Sequence, residues 1–238
     1  MKLTLKPLTA AVLIATTQLS GVAFAQTTKA PAAPAAAKAP VAIDRIRHDD
    51  TTPTPVSDEP QHHFGSAAVA FAKKDYKTAA TEIRKATGYL RLEADHATGN
   101  ARQELDSSVA ELDELAASVE KGSVKDEKAM DKDFARANHA LALEHRARAA
   151  ESWKRKEYRQ AGHELKAAAR DLKNAAGWAG AEAQAGASGA VTDTEALGDK
   201  LATGATWTRD EVGRGFDALG HALNELGHKI GAKRQAAP

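Results

Sequence analysis

The sequence predicts an all-α protein: a four-helix antiparallel bundle with an internal duplication, followed by an amphipathic C-terminal helix. Three observations predict it. From about His63 onward apolar residues recur at steps of three and four, and the alternation that marks strands is nearly absent. The phrase KDYKTAATEIRKA at 74–86 returns 82 residues later as KEYRQAGHELKAA at 156–168. Aromatic residues are only 5% of the chain, so the core must be built from Leu, Ala and Val.

Four stripes define the bundle over 62–178. Tyr76, Ala79, Ile83, Ala86, Leu90 and Ala94 form the first, and Leu105, Val109, Leu112, Leu115 and Val119 the second. The third follows Ser123, with Asp126 in capping-box position, through Met130, Phe134, Ala137, Leu141, His145 and Ala149. Tyr158, Ala161, Leu165, Ala168, Leu172 and Ala175 form the fourth and repeat the first. Breaks at Thr98-Gly99-Asn100, Gly122-Ser123 and Gly177 are short, which makes neighbouring helices antiparallel.

Outside the bundle the texture changes. MKLTLK is basic, 10–15 are apolar, and Ala23-Phe24-Ala25 closes the pattern of a secretory signal peptide over 1–25. The chain has no cysteine, so neither a lipid-bearing thiol nor a disulfide is available. Together these point to the bacterial periplasm. Residues 26–61 hold six prolines and little to bury, the composition of a disordered tether. The small-residue run at 179–191 reads as a flexible linker. At 192–234, Thr192 with Glu195 and Thr208 with Glu211 read as capping boxes opening two amphipathic helices. The second carries Val212, Phe216, Leu219, Leu223, Leu226 and Ile230, spaced 4, 3, 4, 3, 4 like a coiled-coil seam.

Aligning 67–94 with 149–176 gives nine identities in 28 positions. The informative ones lie at the turn, where Phe71 or Trp153 is followed five residues later by Tyr76 or Tyr158. The phrase resembles the tetratricopeptide repeat, in which Gly-Asp-Tyr precedes a helix with alanines three and ten positions after the tyrosine. Ala79 and Ala86, and Ala161 and Ala168, fill those places, while Lys74 and Lys156 stand where that repeat has glycine. The whole layout over about 63–178 resembles the YfdX-type exported proteins. That resemblance implies an envelope stress or chaperone-like role and carries over no catalytic residue.

Without the signal's Lys2 and Lys6, 31 basic residues face 32 acidic ones, which argues against a nucleic-acid partner. No nucleophile elbow or phosphate loop is present. Acidic residues mostly alternate with Lys and Arg, as on solvated helix faces. No cofactor is implied. His221 and His228 lie about 10.5 Å apart along one helix, too far to share a metal ion. His145 alone falls on an apolar stripe. It reads as a packed core histidine, or as a proton switch that acid would loosen, because burial disfavours the imidazolium. Gly213, Gly220 and Gly227 recur every seven residues beside the C-terminal seam, suggesting close helix approach, either within the chain or to a second copy.

The sequence therefore predicts a non-catalytic periplasmic helical binding protein, chaperone-like, whose partners are protein clients or copies of itself. Membrane contact is at most peripheral. The alternatives are an oligomeric or structural envelope scaffold acting through the C-terminal helix and, more distantly, a metal- or haem-binding bundle.

Overall fold

A computed structural model of the protein describes residues 59–232. The expected signal peptide, and the expected tether up to residue 58, lie outside the described residues. Within them the chain is helical throughout: α1 (Glu59–Ala72), α2 (Tyr76–His96), α3 (Gly99–Glu120), α4 (Glu127–Lys154), α5 (Tyr158–Ala179), α6 (Ala181–Thr203) and α7 (Arg209–Ile230). Among the described residues no helix is long and apolar enough to cross a membrane.

Local chemistry sets the boundaries. The Asp75 carboxylate accepts from Thr78 N–H and starts α2, and Asp126 accepts from Lys128 N–H and starts α4. Ser123 is no part of that cap; its hydroxyl closes α3 by donating to the Ser118 carbonyl at 2.8 Å. Thr208 caps α7 as its spacing predicts, accepting from Glu211 N–H at 3.1 Å.

The helices do not close into one four-helix bundle. They form two cores that share α4. One is built from Phe64, Ile83, Leu90, Leu105, Leu112, Val119, Met130 and Phe134, on α1, α2, α3 and the first half of α4. The other is built from Ala142, Ala149, Leu165, Leu172, Leu197, Leu201, Leu219 and Leu223, on the rest of α4 with α5, α6 and α7. At 28 residues α4 is the longest helix, which lets it serve both.

The two cores follow one plan. The starts of α2, α3 and α4 recur as the starts of α5, α6 and α7, each 82 residues on. The end of α1 at Ala72 recurs as the end of α4 at Lys154. All seven buried positions of α2 are buried again in α5, from Ala79 and Ala161 to Ala94 and Ala176. The interval also relates Phe134 and His139-Ala140-Leu141 in α4 to Phe216 and His221-Ala222-Leu223 in α7. The first half of α4 thus matches α7 and its second half matches α1.

The expected linker at 179–191 is helix instead. Only Gly180, at φ +101°, interrupts the chain, and Ala181–Thr203 is a single helix. Along it Ala183, Ala187 and Val191 are buried in the second core, and the closest approach to α5 comes beyond the run, at Gly198. A Cβ on Gly162 of α5 would lie 2.5 Å from the Ala202 nitrogen and 2.6 Å from the Gly198 oxygen. Thr192 is therefore mid-helix, its hydroxyl donating to the Ser188 carbonyl, and caps nothing.

Candidate functional site

The repeat landmarks occupy matching turns. Phe71 packs on Tyr76 with ring centroids 5.5 Å apart, and Trp153 packs on Tyr158 at 4.9 Å. Trp207, from the α6–α7 connection, adds a third ring at 5.1 and 4.9 Å from the second pair. Around the first pair the α3–α4 turn takes that place, with Gly122 against the Tyr76 ring.

His145 is buried, and sequence reasoning missed its partner. Its Nδ1–H donates to Oδ2 of Asp171 on α5 at 2.7 Å, with both side chains 5% exposed or less. Burial works against the imidazolium, and Nε2 is left without a partner. The hydrogen bond and negative charge of Asp171, with Glu164 beyond, outweigh it, so His145 holds its proton above the ordinary imidazole range. The expected direction of the switch is therefore corrected: acid keeps this seam charged and paired.

Around the pair lies a network of acids that the alternating charge pattern had placed on the surface. Glu144 and Glu164 are both buried. Burial pushes the Glu144 carboxyl up, partly offset by Arg148 and His145. Arg148 ties Glu93 of α2, at 2.7 Å, to Glu164 of α5, at 3.4 Å. The signal for this burial was the broad alanine arc of α5, where Ala167, Ala169 and Ala176 are as enclosed as the stripe itself.

The first core holds a related pair. His63 on α1 donates from Nδ1 to Glu82 Oε2 on α2 at 2.6 Å. His63 and Glu82 stand 82 residues before His145 and Glu164. The Tyr89 ring, stacked on His63 at 5.8 Å, stands where Asp171 does. Lys85 and His63 together hold the Glu82 carboxyl below the usual range, Lys85 contributing most.

The expected interaction face is spent inside the chain. Val212, Leu219, Leu223, Leu226 and Ile230 are buried in the second core, and Phe216 is half-buried beside them. α7 is further fixed to α4 by Arg136, which donates to the Ile230 and Gly231 carbonyls, and by Arg146, which donates to that of Phe216. Two of the three heptad glycines lie close against α4 and the third does not. A Cβ on Gly213 would meet nothing within 4 Å, whereas on Gly220 it would meet the Arg146 guanidinium and on Gly227 the His139 ring.

A groove of about 860 Å³ runs between the first turn of α3, the middle of α4 and the end of α7. Leu143, Arg146 and Ala147 line it from α4, and Leu223, Asn224 and His228 from α7. His139 also lines it, buried and with Nε2 donating to the Leu223 carbonyl at 3.0 Å. Burial holds that imidazole below its ordinary range, hence neutral. Thr98, which makes no side-chain cap on α3, lines the end of the groove with Gly99 and Ala101.

Among the described residues no three His, Asp or Glu side chains are placed to hold a metal ion. Comparison with protein-family models, with curated proteins and with solved structures finds no match for this chain.

Proposed function

We propose that the protein is a non-catalytic helical binding protein of the bacterial periplasm, chaperone-like, which takes extended client segments in the α3–α4–α7 groove. The observation that supports this is the composition of the groove. Half-buried Leu143 and Ala147 offer an apolar floor, while the Asn224 amide and the His228 ring offer polar contacts beside it. An unfolded segment presents both kinds of surface. The envelope stress role implied by the resemblance to YfdX-type proteins agrees with this reading.

The test is suppression of the aggregation of reduced insulin B chain, followed by light scattering. Wild-type protein should suppress it at near-equimolar ratio. Leu143→Asp, with unchanged helix content, should lose most of that effect. An inactive wild type, or a fully active Leu143→Asp, would refute the reading.

We also propose that the 82-residue interval records duplication of one helical unit, with α4 shared where the copies overlap. The recurring helix starts and the Phe-x4-His-Ala-Leu phrase in α4 and α7 support it. Sharing one helix between consecutive units is how solenoids bury a continuous core.

A further inference from the structure

The first helix of each unit meets the second through a histidine bonded to an acid. His63 on α1 meets Glu82 on α2 at 2.6 Å, and His145 on α4 meets Asp171 on α5 at 2.7 Å. The two histidines stand at the same place in the 82-residue plan, although the acids do not.

We propose that the His145–Asp171 pair is a proton-tightened clasp, which holds α4 and α5 together most strongly in acid and slackens as the pH rises. The inference goes beyond client binding and does not depend on it.

The charged groups facing His145 set the direction. His145 is faced by Asp171 and Glu164 from α5, by Glu144 and Arg148 from its own helix, and through Arg148 by Glu93 of α2. Arg170 lies 3.8 Å from Asp171. The acids outnumber the cations, so a proton on His145 relieves a buried excess of negative charge. In either protonation state Nδ1–H of His145 can donate to Asp171, and only the protonated state adds charge attraction in that buried setting.

The linkage runs one way. His145 keeps its proton more tightly in the fold than in the unfolded chain. Its contribution is therefore complete below about pH 6.5 and is lost as the pH rises through the raised folded value. The arrangement suits a protein that must keep its fold during acid exposure.

The test is urea unfolding of the purified full chain, followed by circular dichroism at pH 5.5 and pH 8.5, for wild type and His145→Gln. The wild-type midpoint should fall by about 1 M urea between the two pH values. His145→Gln should lose more than half of that fall. Should His145→Gln not fold, imidazole nitrogen chemical shifts in the wild type decide, because His145 must titrate above the ordinary imidazole value of about 6.5. A variant that keeps the full wild-type fall, a wild type more stable at pH 8.5, or a His145 midpoint at or below the ordinary value would each overturn the proposal.

Discussion

Lys74 and Lys156 hold the same left-handed backbone, at φ +63° and +65°. Each closes a helix by the same pair of hydrogen bonds. The lysine N–H donates to the Phe71 or Trp153 carbonyl, and the next N–H donates to that of Ala70 or Ser152. This is a Schellman closure, in which glycine normally takes the left-handed position. Both lysines are exposed, so nothing but the turn accounts for their conformation. Lys74→Gly and Lys156→Gly should each stabilise the protein by about 0.5–1 kcal/mol, the cost of left-handed backbone for a residue with a Cβ. Lys→Val at either place should destabilise it. Chemical denaturation of the four variants checks the sign, and an unfavourable glycine would show that these turns carry no strain.

Glycines in this chain divide by what surrounds them. Gly162 and Gly198 bring α5 and α6 together, and a Cβ on Gly198 would lie 2.6 Å from Lys166 Cγ and 2.8 Å from the Gly162 oxygen. Gly213 on α7 faces open space. Gly162→Ala should therefore cost more than about 2 kcal/mol, since backbone cannot yield as a side-chain tip can. Gly213→Ala should gain up to about 1 kcal/mol from helix propensity alone. Thermal unfolding of the two variants should move in opposite directions.

The Trp153–Tyr158–Trp207 cluster anchors the α6–α7 connection to the α4–α5 turn, with all three rings at edge or tilted angles. Such pairs add roughly 0.5–1.5 kcal/mol each beyond the area they bury. Trp207→Ala should cost about 2–3 kcal/mol and expose Trp153, shifting its emission to the red. Phe71→Ala should leave that emission unchanged, because its ring pairs with Tyr76 in the other core.

Much of this fold was legible because leucine, isoleucine and the larger aromatics state their periodicity plainly. The Tyr76 and Tyr158 turns, and the Thr208 cap, follow from residue type and spacing. Alanine and glycine are ambiguous. At 179–191 the same composition suits a loose linker or a helix, and what decides is the packing of Ala183, Ala187 and Val191 into the second core, which the run of small residues does not announce. The seam on α7 was correctly read as needing cover, but a one-dimensional pattern does not say whose residues cover it. Of the candidate site, His145 was visible through its position on a stripe. Asp171 was not, because it lies 26 residues away on another helix. The full extent of the 82-residue interval was hidden as well. α3 and α6 keep their buried positions with little sequence identity, as in Leu105 and Ala187 or Leu112 and Thr194.

Asp133 gives a pH dependence separate from the His145 clasp. It sits on α4, its side chain 21% exposed, 3.8 Å from Arg136. Burial first, and then the Glu111 carboxylate, push its carboxyl up to about 6 despite Arg136. An acid whose folded value is raised binds its proton more tightly in the fold, so stability falls as the pH climbs from the unfolded value of 3.8 to about 6. Above that range the full penalty is present, and below pH 3.8 there is none. Asp133→Asn removes the ionisable group while keeping the shape. It should stabilise the protein by roughly 1–3 kcal/mol at pH 7.5, less whatever attraction to Arg136 is lost, and by progressively less toward pH 4. Urea midpoints of wild type and variant at pH 7.5 and 4.5 measure the difference. An equal gain at both values would place the effect in packing, and no gain at pH 7.5 would mean that Arg136 fully compensates the buried charge.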